Sequence, residues 1–218
     1  MVVFILLPLL IAALLFAFIR YKYPNGTTQL LVVAFALGAV FALGSVLAEY
    51  LASLTRFDDL KNLRRMAFYA FIIVAGSQEF FRFLILRYYI LPKPIFRTPA
   101  DGIAYSIMIS MGMTTVMLLM NNKALVGASV FHDYIYTAAL ANIIFAVFMG
   151  FFVGLGKSRE NRFIDSMTGL FAAVFFHGLY RFCFYSQEYR LAVVVGIAAT
   201  LIALVFIYRS ITANSKES

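Results

Sequence analysis

Seven stretches of the chain, roughly residues 2–19, 28–54, 66–91, 102–121, 134–156, 166–186 and 190–210, are almost wholly apolar and close to the length a helix needs to cross a membrane. A hydrocarbon core about 30 Å thick requires about 20 helical residues at 1.5 Å each. Backbone polar groups in lipid must be satisfied within the segment, and these runs are too long for barrel strands, so they predict closed helices. Composition agrees: 63% of the residues are hydrophobic, 13% are charged, and the mean hydropathy is +0.91. The expected fold is all-α, a polytopic transmembrane bundle of about seven helices. It forms one helical membrane domain over residues 1–212, followed by a polar tail at 213–218.

The connections are short and hold most of the turn residues and charge: YPNG at 23–26, FDDLKNLRR at 57–65, LPKPIFRTPAD at 91–101 and GKSREN at 156–161. A net charge of +8 could suggest nucleic acid, but the basic residues are scattered through connections without a basic helix, so they predict topology and lipid-headgroup contact instead. The first apolar run lacks a basic n-region and is followed by Arg20 and Lys22, the pattern of a retained anchor. Counted over all connections, ten basic residues fall on the side of the C-terminus and seven on the other, Arg181 among the seven. That places the C-terminus in the cytoplasm and the N-terminus outside. The single cysteine, Cys183, excludes an intramolecular disulfide and a cysteine zinc cluster, and it reads as a packing residue.

Polar residues inside such runs carry most of the functional information, because an ionised side chain in hydrocarbon costs at least about 2.5 kcal/mol and is retained facing a polar interior with partners. The third run contains SQEFFRF, with Gln78, Glu79 and Arg82 at its centre. Glu79 and Arg82, three apart, share a helix face and can pair. Asn142 lies midway along the fifth run and His177 midway along the sixth, with Arg181 one turn further on. Glu79, Asn142 and His177 share a depth, which predicts one buried polar cluster. Glu49, near the end of the second run, is expected to reach the interface. Asp101 opens the fourth run in TPADG, where a carboxylate can accept from free backbone N–H groups.

Taken together, FRTPADGIAYSIMISMGM (96–113), SQEFFRF (77–83) and FFHGLYRF (175–182) resemble the signature of the PrsW family of intramembrane metalloproteases, related to the CPBP/Abi membrane proteases. The resemblance aligns Gln78, Glu79 and Arg82 with a Glu-Glu-x-x-Lys motif. It aligns Asp101, Gly102, Tyr105 and Gly112 with a Pro-x-Asp-Gly…Tyr…Gly motif, and His177 and Gly178 with a His-Gly-aromatic motif. It implies a bacterial inner-membrane location, zinc and a transmembrane substrate. The departures are specific. Gln78 replaces the first Glu of the pair, Met117 and Leu118 stand where the family motif continues into Glu-Asn, and Asn142 is the nearest polar match to a mid-membrane His.

A catalytic zinc takes three protein ligands and leaves one position for water. Glu79 and His177 are the two credible ligands here; Asn142 binds zinc poorly, Met117 is no hard donor, and His132 lies near the interface. A metal-free mechanism needs a second positioned carboxylate or base beside Glu79. The residues therefore predict a degenerate protease site with no cofactor, and a binding, assembly or regulatory subunit for another membrane protein. The alternative is an active intramembrane protease with zinc on His177 and Glu79. A transporter is the third reading, without an inverted repeat to support it. On the first reading, Gly112, Thr114 and Thr115 form a small-residue face to which a partner's transmembrane segment can pack. Against these stand structural roles for the same residues: an ion pair fixing helix packing for Glu79 and Arg82, and a hydrogen-bonded core residue for His177.

Overall fold

The structure, a computed structural model, describes residues 2–22, 28–120, 128–159 and 161–214. YPNG, Lys123 and the last residues of the polar tail lie outside the described residues, as does the side chain of His132. Among the described residues the chain forms seven helices: α1 (Val2–Lys22), α2 (Gln29–Leu54), α3 (Leu63–Ile90), α4 (Pro99–Met120), α5 (Ala128–Ser158), α6 (Arg162–Tyr185) and α7 (Tyr189–Asn214). Helices α2 to α7 each contain a span long and apolar enough to cross a membrane, and α1 adds a shorter apolar stretch over Leu6–Tyr21. The protein is an all-α polytopic bundle.

Helices α4 and α5 are its centre. In each, 72% of the membrane-spanning window is buried, against 28% for α2 and 22% for α7 at the lipid-facing periphery. Glycine brings the central helices into backbone contact. A Cβ added at Gly112 of α4 would lie 2.0 Å from the Phe35 carbonyl oxygen of α2, and one at Gly38 of α2 would lie 2.1 Å from the Ile109 oxygen of α4. On the other side of α4, an added Cβ at Gly102 would lie 2.2 Å from the Gly150 oxygen of α5. Packing between helices in lipid relies on such close approach, because the tails provide no hydrophobic drive.

This packing corrects the expectation of an open small-residue face on α4. Gly112 is filled by α2, and Met113, Thr114, Thr115 and Met117 are all buried within the bundle. No surface remains there for a partner helix.

The start of α4 is fixed locally. The Thr98 and Arg97 backbone N–H groups both donate to Asp101 Oδ2 at 2.9 Å, and Asp101 N–H donates back to Thr98 Oγ1 at 3.3 Å. This is a capping box with Asp in place of the usual Glu. The connection before it is held by Phe96, whose ring stacks on Tyr105 at 6.0 Å, and by Lys157 Nζ, which donates to the Leu91 carbonyl at 2.9 Å.

Helix α3 is not uniform. Its α-helical segment Ser77–Leu84 lies between two π-helical stretches, Tyr69–Gly76 and Ile85–Ile90. A π-turn places an extra residue in the turn and rotates everything after it, and such turns concentrate at functional sites. Ser77 Oγ donates to the Ile73 carbonyl at 2.5 Å, supplying a bond where the ladder changes register. The segment carrying Gln78, Glu79 and Arg82 is thereby aimed inward, and all three are buried.

Candidate functional site

Glu79 is the hub of a buried polar network. Arg82 Nη1 donates to Glu79 Oε2 at 2.6 Å, and His177 Nδ1 lies 2.8 Å from Glu79 Oε1. Since an ionised carboxylate only accepts, Nδ1 carries the imidazole proton and Nε2 is left as the basic nitrogen. The second guanidinium nitrogen of Arg82 donates to Ser110 Oγ at 3.0 Å, and Ser110 Oγ donates to the Asn142 backbone carbonyl at 3.0 Å. Asn142 Nδ2 donates to Thr114 Oγ1 at 2.8 Å. Three helices are thus joined to α3: α6 through His177, α4 through Ser110, and α5 through Asn142 and its tie to Thr114.

Two acceptor atoms at this site, His177 Nε2 and Asn142 Oδ1, are buried without a hydrogen-bond partner. Phe145, three residues after Asn142 on α5, stacks on the His177 ring at 4.7 Å and 14°. The same phenylalanine lines an apolar groove of about 440 Å³ between α5, α6 and α7, with Leu140, Tyr180, Val193 and Gly196 among its walls. Phe145 therefore lies between the imidazole and this groove.

The remaining predicted residues divide by what they touch. Gln78 is buried and directed to α2, where its Nε2 donates to Glu49 Oε1 at 3.5 Å. Glu49 does not reach the interface, as its place near the helix end suggests; it is 4% exposed. Arg181 is likewise buried in α6 rather than lying in a connection, so it drops out of the topology count. Met117 is buried in the main apolar core. Asp101 caps α4, Gly102 allows the α4–α5 approach, and Gly178 admits the Phe71 ring, which an added Cβ would meet at 2.4 Å. Cys183 is buried in an apolar cluster that also holds Ala138, Tyr180 and Val195.

Sequence reasoning missed Ser110 as a member of the network and Glu49 as the buried partner of Gln78. A signal for the first existed: Ser106, Ser110 and Thr114 recur every four residues, a polar stripe down an otherwise apolar helix.

A sequence profile described as PrsW family intramembrane metalloprotease matches residues 26–209. The chain belongs to the PrsW family. Three proteins named Protease PrsW are similar to it. The one from Oceanobacillus iheyensis is 26% identical over 161 residues, covering 70% of this chain and 69% of that protein. The Clostridioides difficile protein is 24% identical, covering 79% and 74%, and the Bacillus subtilis protein is 24% identical, covering 79% and 77%. No solved structure matches the chain.

The PrsW description implies a metal, and the donor set here does not fit one. Both oxygens of Glu79 are engaged, one of them by a guanidinium that would repel a dication. His177 offers one free nitrogen, Asn142 a neutral amide oxygen, and Glu49 is turned to Gln78. Among the described residues, no three His, Cys, Asp or Glu side chains come together as ligands. The arrangement is chemically a carboxylate–imidazole dyad: Glu79 holds the ring, and Nε2 can accept a proton from a group brought beside it.

Proposed function

We propose that this PrsW-family protein is a non-catalytic membrane subunit that binds, assembles or regulates another membrane protein, with the protease site converted into a closed charge network. The observation that carries this reading is the commitment of both Glu79 oxygens, one to Arg82 and one to His177, in a cluster with no exposure. With one oxygen held by a guanidinium and the other by the imidazole, this carboxylate is engaged in charge pairing rather than presented to a metal or a water. The losses at Gln78, Met117 and Asn142 support it from the sequence. The bacterial sources of the relatives support a bacterial inner membrane, and the count of basic residues supports a cytoplasmic C-terminus.

A second reading, an active intramembrane protease, is favoured by one observation. His177 Nε2 is buried, lacks a partner, and belongs to a ring oriented by a carboxylate. The test is reconstitution in liposomes with a labelled transmembrane peptide, with and without added zinc, for the wild type, Glu79→Ala and His177→Ala. The subunit reading expects no cleavage in any of the three, together with co-purification of a membrane protein in mild detergent. Cleavage by the wild type that both substitutions abolish establishes the protease instead.

A further inference from the structure

Helix α6 begins at a boundary between charge and hydrocarbon. Its first residue, Arg162, and the preceding Arg159 are both exposed, and Arg159 Nη1 lies 3.7 Å from Asp165 Oδ1, which places its guanidinium beside the first turn of α6. Directly after them, Phe163, Ile164, Met167, Thr168 and Phe171 line an open groove of about 600 Å³. At this spacing the five share one helix face, over about 12 Å of axis. Phe163, Ile164 and Phe171 are 63%, 62% and 68% exposed, so the groove faces lipid. The Thr168 hydroxyl donates to the Ile164 carbonyl at 2.9 Å, within the helix itself, which leaves the groove to apolar contact.

Positive charge gathers at the same end of the bundle. Helix α4 leaves this end and α5 returns to it, so the connections before α4 and after α5 lie together. Lys157 Nζ donates to the Leu91 carbonyl at 2.9 Å, and an added Cβ at Gly156 would lie 3.2 Å from the Arg162 carbonyl oxygen. These connections and their flanks carry Lys93, Arg97, Lys157, Arg159 and Arg162 against Asp101, Glu160 and Asp165. Asp101 is committed to the α4 cap and Asp165 to Arg159. A surplus of positive charge therefore adjoins an apolar groove that faces lipid.

We propose that the start of α6 is a binding site for one anionic phospholipid, with Arg159 and Arg162 holding the headgroup phosphate and an acyl chain lying along residues 163–171. Charge and depth select this occupant. A basic patch alone would take any anion and an apolar groove any hydrocarbon; an anionic headgroup joined to an acyl chain meets both at once. A zwitterionic headgroup would set its own ammonium against the same guanidinium groups. The inference goes beyond the proposed subunit role and is independent of whether the Glu79–His177 dyad reacts.

The chain contains no tryptophan, so a single reporter can be introduced. Phe171→Trp places an indole in the groove, and Leu43→Trp, at a position 52% exposed midway along α2, reports ordinary lipid contact. The full chain in mixed micelles is titrated with phosphatidylglycerol or phosphatidylethanolamine carrying brominated acyl chains, which quench tryptophan on contact. In Phe171→Trp the anionic lipid should half-quench at a mole fraction roughly 5- to 25-fold below the zwitterionic one, about fivefold for each arginine. Adding Arg159→Gln with Arg162→Gln should remove most of that preference, whereas Arg159→Lys with Arg162→Lys keeps the charge and should retain most of it. Leu43→Trp should show no preference, and inorganic phosphate, which lacks a chain, should not relieve the quenching.

Equal quenching by the two lipids, a preference that survives both glutamines, or the same preference in Leu43→Trp would overturn the proposal. So would release by inorganic phosphate alone, which would make the site one for a free anion, or an indole shielded from both lipids by a partner helix. The readout is a ratio between two lipids on one folded protein, so a variant of lower stability still reports it. None of these measurements uses proteolysis or partner capture, so their failure is separate from failure of the proposed function.

Discussion

His177 Nδ1 on α6 and Glu79 Oε1 on α3 are 2.8 Å apart across 98 residues of sequence, and both side chains are fully buried. The contact fixes the tautomer of the ring, ties two membrane helices together, and uses the carboxylate oxygen that Arg82 leaves.

Removing the hub should be costly. Glu79→Ala leaves Arg82 charged in a dry site without its carboxylate and should destabilise the bundle by about 3–5 kcal/mol. The double replacement with Arg82→Ala should cost less than the sum of the two singles. Melting in detergent of the three variants measures this, and additivity would mean that the pair is not coupled.

Phe145 should control access to the imidazole. Phe145→Ala removes the ring stacked on His177 and opens the groove between α5, α6 and α7 to it. Reaction of His177 with diethyl pyrocarbonate should become several-fold faster, while the wild type stays protected. Equal rates would show that the ring is not the barrier.

Gly112 and Gly196 should respond in opposite ways to a larger side chain. Gly112→Val drives a Cβ into the Phe35 carbonyl of α2 and should destabilise by about 3 kcal/mol. Gly196→Ala meets nothing within 4 Å and should leave monodispersity and melting unchanged. A tolerated valine at 112 would show that α2 and α4 do not cross there.

The signature aspartate should behave as a helix cap. Thr98→Ala removes one half of the reciprocal bonding with Asp101 and should cost about 1 kcal/mol. Asp101→Asn keeps an acceptor oxygen and should cost less. Loss of all folded protein on either change would point to a larger role than capping.

The membrane helices were legible because their apolar runs match the bilayer thickness, a one-dimensional property that needs no knowledge of neighbours. Glu79, Arg82 and His177 were equally visible, as polar side chains where lipid forbids them without partners. The cap at Asp101 could be anticipated from TPADG, since capping acts over four residues. Glu49 could not be placed, because a carboxylate five residues from a helix end can reach water in one packing and be buried in another. Arg181 failed for the same reason, and so did the small-residue face around Gly112, whose composition invites a helix without saying which.

By itself, then, the sequence determined that the chain crosses the membrane as helices, where those helices lie, and which polar residues had to be sheltered inside. These depend on local hydrophobicity and hydrogen bonding within a segment. The tertiary structure alone decided that α2 fills the glycine face of α4, that Glu79 meets His177 across the bundle, and that Glu49 meets Gln78 rather than water. Those outcomes follow from how seven helices pack against one another, and packing depends on pairs of surfaces far apart in the chain, which no single run of residues encodes.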